Sequence, residues 1–206
     1  MKMNDSIIVN IRKLQSGCSA VLTLSDGSRV KMPFKAVTGL NFRVGDPANA
    51  KELINRANIY MAKETAVRML SVRDYSKKEL FDKLVLRGYE KETVENVVEE
   101  LTDYGYIEEQ RYIDRTLHNL LSVKRYSKKM AYHKLIEKGI DSDTARNALD
   151  NANVNEQENI TAIIDKNKMK NKRSVGALLN RYGYEYADYR RALDIYYSEN
   201  EDEYAD

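Results

Sequence analysis

The chain has 206 residues, with 34 Lys and Arg against 32 Asp and Glu, and 42% of its residues are hydrophobic. That length suits one ordinary domain or several small modules sharing a core, and a net charge of +2 excludes a uniformly basic coat for nucleic acid. The single cysteine, Cys18, excludes an internal disulfide. No stretch reaches the roughly 20 apolar residues of a membrane-crossing helix. The opening MKMNDSIIVNIRKL lacks the apolar run of a secretory leader, so the expectation is a cytoplasmic protein without a membrane partner.

In chain order, residues 1–46 read as a small antiparallel sheet. Ile7 to Ile11, Ser19 to Leu24 and Ser28 to Phe34 are strand-like, and Asp26-Gly27 marks a hairpin between the last two. Such a sheet is marginal alone and should dock on a helix. After Gly45-Asp46-Pro47, residues 47–72 read as a connecting helix, with Leu53, Ile54, Ala57, Tyr60, Met61, Ala66, Met69 and Leu70 at helical spacing. Asn58 is its one candidate break.

A duplication comes next. YSKKELFDKLVLRGY, from Tyr75 to Tyr89, recurs 51 positions later as YSKKMAYHKLIEKGI, from Tyr126 to Ile140, with seven of fifteen positions identical. Fixed-period self-similarity marks stacked modules. In each copy a serine (Ser76, Ser127) caps a helix, leucines (Leu80 and Leu84; Leu135) pack, and a glycine (Gly88, Gly139) ends it. Glu79 completes a capping box with Ser76. Further helices are predicted from about Glu92 to Tyr104 and Glu108 to Val123, then through about Asn151 and from Glu156 to Lys168. A third copy, 95 positions after the first, sets Gly183 on Gly88 and Leu179 on Leu84. It gives helices over about Asn171 to Tyr182 and Glu185 to Tyr197. The resulting organisation is module 1 at 73–123, module 2 at 124–169, module 3 at 170–198 with two helices evident, and an acidic tail at 199–206.

Only 2 His are present, His118 and His133, without a metal-ligand partner at useful spacing. No phosphate-binding glycine loop follows a strand. These observations point away from an enzyme, and no cofactor or metal is expected. The basic residues point instead to a surface. Lys83 and Arg87 lie four apart, opposite Leu80 and Leu84, and the duplication keeps the pair as Lys134 and Lys138. Glu79, a turn before Lys83, should partly neutralise the first pair. Met130 stands at the matching position in the second, which should therefore be the less compensated. Lys124, Arg125, Lys128 and Lys129 flank it. The third copy breaks the pair, with Leu178 and Tyr182 at the matching positions, so Arg173 and Arg181 are second-tier candidates. Any one lysine is most simply a solvated face. The cluster suggests an anionic partner, either nucleic-acid phosphates or an acidic protein surface.

Val72-Arg73-Asp74-Tyr75-Ser76-Lys77-Lys78-Glu79-Leu80, followed by Lys83-Leu84 and Arg87-Gly88-Tyr89, resembles the R-x-[YHR]-S-x-x-E-L-x-x-K-L…G-[YF] signature of the RecX regulatory family. Leu101, Tyr104-Gly105-Tyr106-Ile107 and Arg111-Tyr112 resemble its L-x-x-x-G-Y-[LI]-D-D-x-[RK]-[FY] motif, and Lys134-Leu135 with Lys138-Gly139-Ile140 its E-L-x-x-K-G-I. Glu108-Glu109, Ile113 and Met130-Ala131 depart from the pattern, and the amino-terminal sheet is similar to an extension in some members. The resemblance implies tandem three-helix modules in an elongated, curved array. It also implies a non-enzymatic modulator that lies in the groove of the RecA filament on single-stranded DNA, restraining RecA. The expectation is a monomer whose partner is the RecA filament, with single-stranded DNA as a second candidate partner. The rivals are a direct nucleic-acid-binding helical-repeat protein without a recombinase partner, and a HEAT-like scaffold.

Overall fold

The computed structural model describes residues 6–15 and 17–199; the expected acidic tail lies outside them beyond Glu199. The described residues form two compact units, divided between Ile107 and Glu108.

The first unit opens with an antiparallel sheet of β1 (Ser6–Lys13), β2 (Ser19–Leu24), β3 (Arg29–Pro33) and the short β4 (Pro47–Ala48), in the order β3-β2-β1-β4. Alternation decides which face is buried: Ala20, Leu22 and Leu24 of β2 and Val30 and Met32 of β3 point inward. The hairpin forms at Asp26-Gly27, where Gly27 has φ +84° and the Ser28 amide donates to Asp26 Oδ1 at 2.8 Å. Two helices cover the sheet. The short α1 (Phe34–Gly39) contributes Ala36 and Val37, and α2 (Ala50–Leu70) contributes Leu53 and Ala57. The Asn49 side chain caps α2, accepting from Lys51 N at 2.9 Å, and the helix runs unbroken through Asn58.

The far half of α2 belongs to a second core. Ala62, Ala66 and Met69 pack with Leu80 and Leu84 of α3 (Lys77–Leu86) and with Val94, Val97, Val98 and Leu101 of α4 (Lys91–Asp103). In the second unit, α5 (Glu109–Leu117) packs Tyr112, Ile113 and Leu117 against Ala131 and Leu135 of α6 (Lys128–Glu137) and Ala145 and Leu149 of α7 (Ser142–Asp150). A last core joins α8 (Glu156–Lys166), α9 (Lys172–Arg181) and α10 (Tyr186–Glu199). The three-helix period matches the sequence reading, but its phase does not. Each bundle begins one helix before the duplicated Tyr-Ser-Lys-Lys segment, so the groups are α2–α4, α5–α7 and α8–α10 instead of 73–123, 124–169 and 170–198. A repeat fixes a period and not a starting point. The apolar faces decide, and α5 turns its face to the two helices after it.

The three copies share one helix-ending device. Ser76 Oγ accepts from Glu79 N and Ser127 Oγ from Met130 N, both at 3.1 Å, and Asn171 Oδ1 takes the same role toward Ser174 N at 2.9 Å. Gly88, Gly139 and Gly183 have φ of +92°, +82° and +91°. The amides of Tyr89, Ile140 and Tyr184 then reach back to the carbonyls of Leu84, Leu135 and Leu179 at 3.3, 3.1 and 3.1 Å, closing each helix in a Schellman turn.

Local winding departs from expectation once. The helix predicted to Val123 continues past Leu117 as a π-helical turn, His118–Val123, with Lys124 N donating to Asn119 O at 2.9 Å. It ends at Arg125, which has φ +54°.

Two glycines offer a test of how copies one and three differ. A Cβ on Gly88 would meet nothing within 4 Å, whereas one on Gly183 would lie 2.5 Å from Ser127 Oγ and 2.7 Å from Met130 Cβ. Gly88→Ala should therefore cost only the left-handed backbone term, about 1–2 kcal/mol. Gly183→Ala should cost distinctly more, measured as a lower urea midpoint at unchanged m-value. Equal losses would contradict the close approach of α9 to α6.

Candidate interaction surface

In the first unit, the core takes Leu80 and Leu84 of α3 at full burial. Lys83 and Arg87 are not opposite them, since residues three and four apart share a face: Lys83 is half-buried at the edge of that face, and Arg87 is exposed just past the helix end. Arg87 Nη1 donates to the Lys83 carbonyl at 3.1 Å, and neither side chain meets a carboxylate among the described residues. The expected offset of Lys83 by Glu79 is not found. Glu79 Oε2 lies 3.4 Å from Arg73 Nη1, and Arg73 stacks over the Tyr75 ring at 3.8 Å. Helical side chains tilt toward the N-terminus, so a first-turn glutamate reaches back to residue 73 instead of forward to 83.

The equivalent stripe on α6 is the compensated one, reversing the sequence expectation. Lys134 Nζ sits 2.9 Å from Glu137 Oε2, and that hydrogen bond holds the Glu137 carboxyl below its usual pKa. Lys129 Nζ sits 2.7 Å from Glu185 Oε1. The hydrogen bond raises the lysine and lowers the carboxylate. Lys138 Nζ lies 5.9 Å from the centroid of the Tyr112 ring. The Lys128 amide donates to Glu156 Oε1 at 2.8 Å, a carboxylate placed where the helix N-terminus favours negative charge. Exposed pairs of this kind add little stability, but they cancel local potential. The identity of residue 130 does not decide compensation, because the carboxylates come from the next turn and from residue 185.

Lys124 and Arg125 come directly after the π-helical turn, and the end of α8 and the α8–α9 connection lie opposite them. Lys124, Arg125, Lys166 and Lys170 line one cleft with Tyr126 and Tyr182. Sequence reading does not join Lys166 and Lys170 to Lys124 and Arg125. No local signal could have done so, since the two pairs meet only when α8 packs beside the π-helical turn. Buried Asn159 of α8 fixes that packing by donating Nδ2–H to the Leu121 carbonyl at 2.9 Å. Tyr184 adds a second tie from its hydroxyl to the Arg125 carbonyl, also at 2.9 Å. Burial pushes the Tyr184 phenol up to about 12, so it remains a donor at neutral pH. Arg173 and Arg181 stand exposed near the two ends of α9, outside this cleft and without ion pairs among the described residues.

No group of three His, Cys, Asp or Glu among the described residues is placed to hold a metal ion. His133 packs edge-on to Tyr132, with ring centroids 5.7 Å apart, and Cys18 is exposed. No helix is long and apolar enough to cross a membrane among the described residues.

Residues 62–101 match the family model of the first three-helix domain of RecX, a span that holds the far half of α2, all of α3 and most of α4. The chain is 25% identical over 153 residues to the regulatory protein RecX of Caldanaerobacter subterraneus subsp. tengcongensis, covering 70% of this chain and 75% of that one. It is 26% identical over 170 residues to the regulatory protein RecX of Clostridium tetani, covering 75% and 77%. A crystal structure of a regulatory protein RecX superposes with a TM-score of 0.62 at 15% identity, over 92% of this chain and 99% of that one. The structure of RecX from Lactobacillus salivarius gives 0.51 at 18% identity, over 69% and 96%. These superpositions establish a shared fold.

The tie from α8 to the π-helical turn carries an expected outcome. Asn159→Leu leaves the Leu121 carbonyl without its side-chain donor, and should lower stability by about 1–3 kcal/mol. Urea unfolding followed by circular dichroism measures the loss; a change under about 0.5 kcal/mol would place Asn159 among neutral surface positions.

Proposed function

We propose that this chain, which belongs to the RecX family, is a non-enzymatic regulator of homologous recombination and DNA repair. It binds in the groove of a RecA filament on single-stranded DNA and inhibits RecA activity. The observation that carries this reading is the tandem array itself. Three bundles succeed one another along the chain, and the helix that opens each copy, α3, α6 or α9, starts with two basic residues: Lys77-Lys78, Lys128-Lys129 and Lys172-Arg173. A filament is also a repeat. Contacts that are weak singly gain through effective concentration when several modules meet successive protomers, so a regulator of this build would prefer assembled RecA to free subunits. A surface built for adding up contacts, without a reacting centre, is what such a task needs.

Within this reading, the uncompensated pair on α3 is the stronger contact and the compensated pair on α6 the weaker. Charges at an interface rim act mainly through potential, and Lys134 has already given its potential to Glu137. A second reading, direct binding of nucleic acid without a recombinase, is favoured by one observation only, the cleft at Lys124 and Arg125.

The test is RecA-catalysed ATP hydrolysis on single-stranded DNA with substoichiometric purified protein. The expected result is slowed hydrolysis. Lys83→Glu with Arg87→Glu should raise the concentration for half-inhibition by about fivefold or more, and Lys134→Glu with Lys138→Glu by less than about twofold. Unchanged hydrolysis with the unmodified protein would remove the RecA reading. Equal effects of the two variants would remove the ranking of the two pairs.

A further inference from the structure

We propose that the cleft between the π-helical turn and the α8–α9 connection is a binding site for a single-stranded nucleic acid. Lys124, Arg125, Lys166 and Lys170 would hold the phosphates, and the tyrosine pair Tyr126 and Tyr182 would present an aromatic surface to a base.

Charge is the first observation. The cleft gathers four cations, and among the described residues no carboxylate lines it. None of the four has an ion pair among the described residues. Lys124 Nζ rests 5.9 Å from the centroid of the Tyr126 ring, and Lys170 Nζ donates to the Asn167 amide oxygen at 2.8 Å. Carboxylates are not scarce nearby. Lys129, Lys134 and Lys172 of the same unit all have one, Lys172 at 2.8 Å from Asp194. Four like charges around one concave site repel each other, and an entering polyanion relieves that repulsion while releasing its own counterions.

Backbone conformation is the second. Arg125 holds φ +54°, and among the described residues the other non-glycine residue with positive φ is Asn41. Asparagine tolerates this region, whereas for an arginine it costs roughly 1–2 kcal/mol. Tyr184 and the Tyr126 amide pin the segment, the amide through a 2.9 Å bond to the Leu120 carbonyl. The two ties hold this strained residue in place at the cleft, as a contact fixed before a ligand arrives would require.

Aromatic placement is the third, and it selects the class of anion. Tyr126 and Tyr182 meet edge to face, with centroids 5.2 Å apart and planes at 81°, and both are half-buried at the cleft. Cations that track a backbone beside aromatic rings that take bases are the two elements of sequence-tolerant single-strand binding. An acidic peptide would use the cations and leave the rings without a task.

The site needs no recombinase, so it is tested without one. Fluorescence anisotropy of a labelled oligothymidylate is followed with the full chain at two salt concentrations. Lys166→Glu with Lys170→Glu changes two exposed side chains in the cleft, and unaltered circular dichroism melting verifies folding. The double variant should bind about tenfold or more weakly, with a salt slope smaller by about 1.4, the value for two single-strand phosphate contacts. Lys83→Glu with Arg87→Glu, in the other unit, should stay within about twofold of the unmodified chain. Inorganic polyphosphate at equal phosphate concentration should compete several-fold less well than unlabelled oligothymidylate, because it has no bases. No binding at low salt, or no effect of the cleft variant, overturns the site. Equal competition by polyphosphate or by polyglutamate overturns its assignment to nucleic acid. Loss of RecA inhibition by the α3 variant with oligothymidylate binding intact would separate the two surfaces.

Discussion

Everything else in the helical part depends on how one helix per bundle is stopped. A glycine just past α3, α6 and α9 takes a left-handed conformation, and the next amide closes on a fully buried leucine, Leu84, Leu135 or Leu179. The same leucine is therefore the centre of a core and the anchor of a chain reversal. Lengthening the helix by a residue would rotate the next helix by about 100° and take its apolar face away from the core. Core and turn are thus set by one geometry, which is why the spacing of cap, leucine and glycine survives where the intervening residues differ.

That constraint explains why some features are legible in the sequence and others are not. Caps, glycine stops, the Asp26-Gly27 hairpin and the apolar spacings are local, and each is legible because its physics spans only a few residues. Bundle phase is not, since it depends on which side of α5 finds an apolar partner. Nor is the π-helical turn. Its Leu121 carbonyl is satisfied by Asn159, 38 residues away. The candidate surface is legible in composition but not in arrangement. Among the described residues, Lys83, Arg87, Lys124 and Arg125 stand without carboxylates, whereas Lys129 and Lys134 are each paired with one. Only one of those pairings, Lys134 with Glu137, lies within helical reach in sequence.

Compensation of charge consequently depends on tertiary packing more than on helical spacing. Glu79 shows this from the other side. It has Lys83 four residues ahead, the favoured orientation for a helical pair, yet it lies against Arg73. Arg73 is itself held over Tyr75, so the guanidinium is already fixed in position when the carboxylate arrives and little entropy is lost in pairing. Lys83, half-buried at the edge of the core face, meets no carboxylate among the described residues.

The third copy shows what duplication permits. At the positions of Lys83 and Arg87 it carries Leu178 and Tyr182. Leu178 enters the last core, and Tyr182 packs on Tyr126 while its carbonyl accepts from the Ser127 amide at 2.9 Å. Positions that carry cations beside the core face of α3 have become, on α9, part of the surface that joins two bundles within the second unit. Gly183 is then needed twice, for its φ and for the space beside Ser127 and Met130. The joint in turn positions the cleft, because Tyr184, the residue after that glycine, is the one that holds the Arg125 carbonyl. Leu178 and Tyr182, which replace the basic pair in the third copy, also line the cleft where the cations gather.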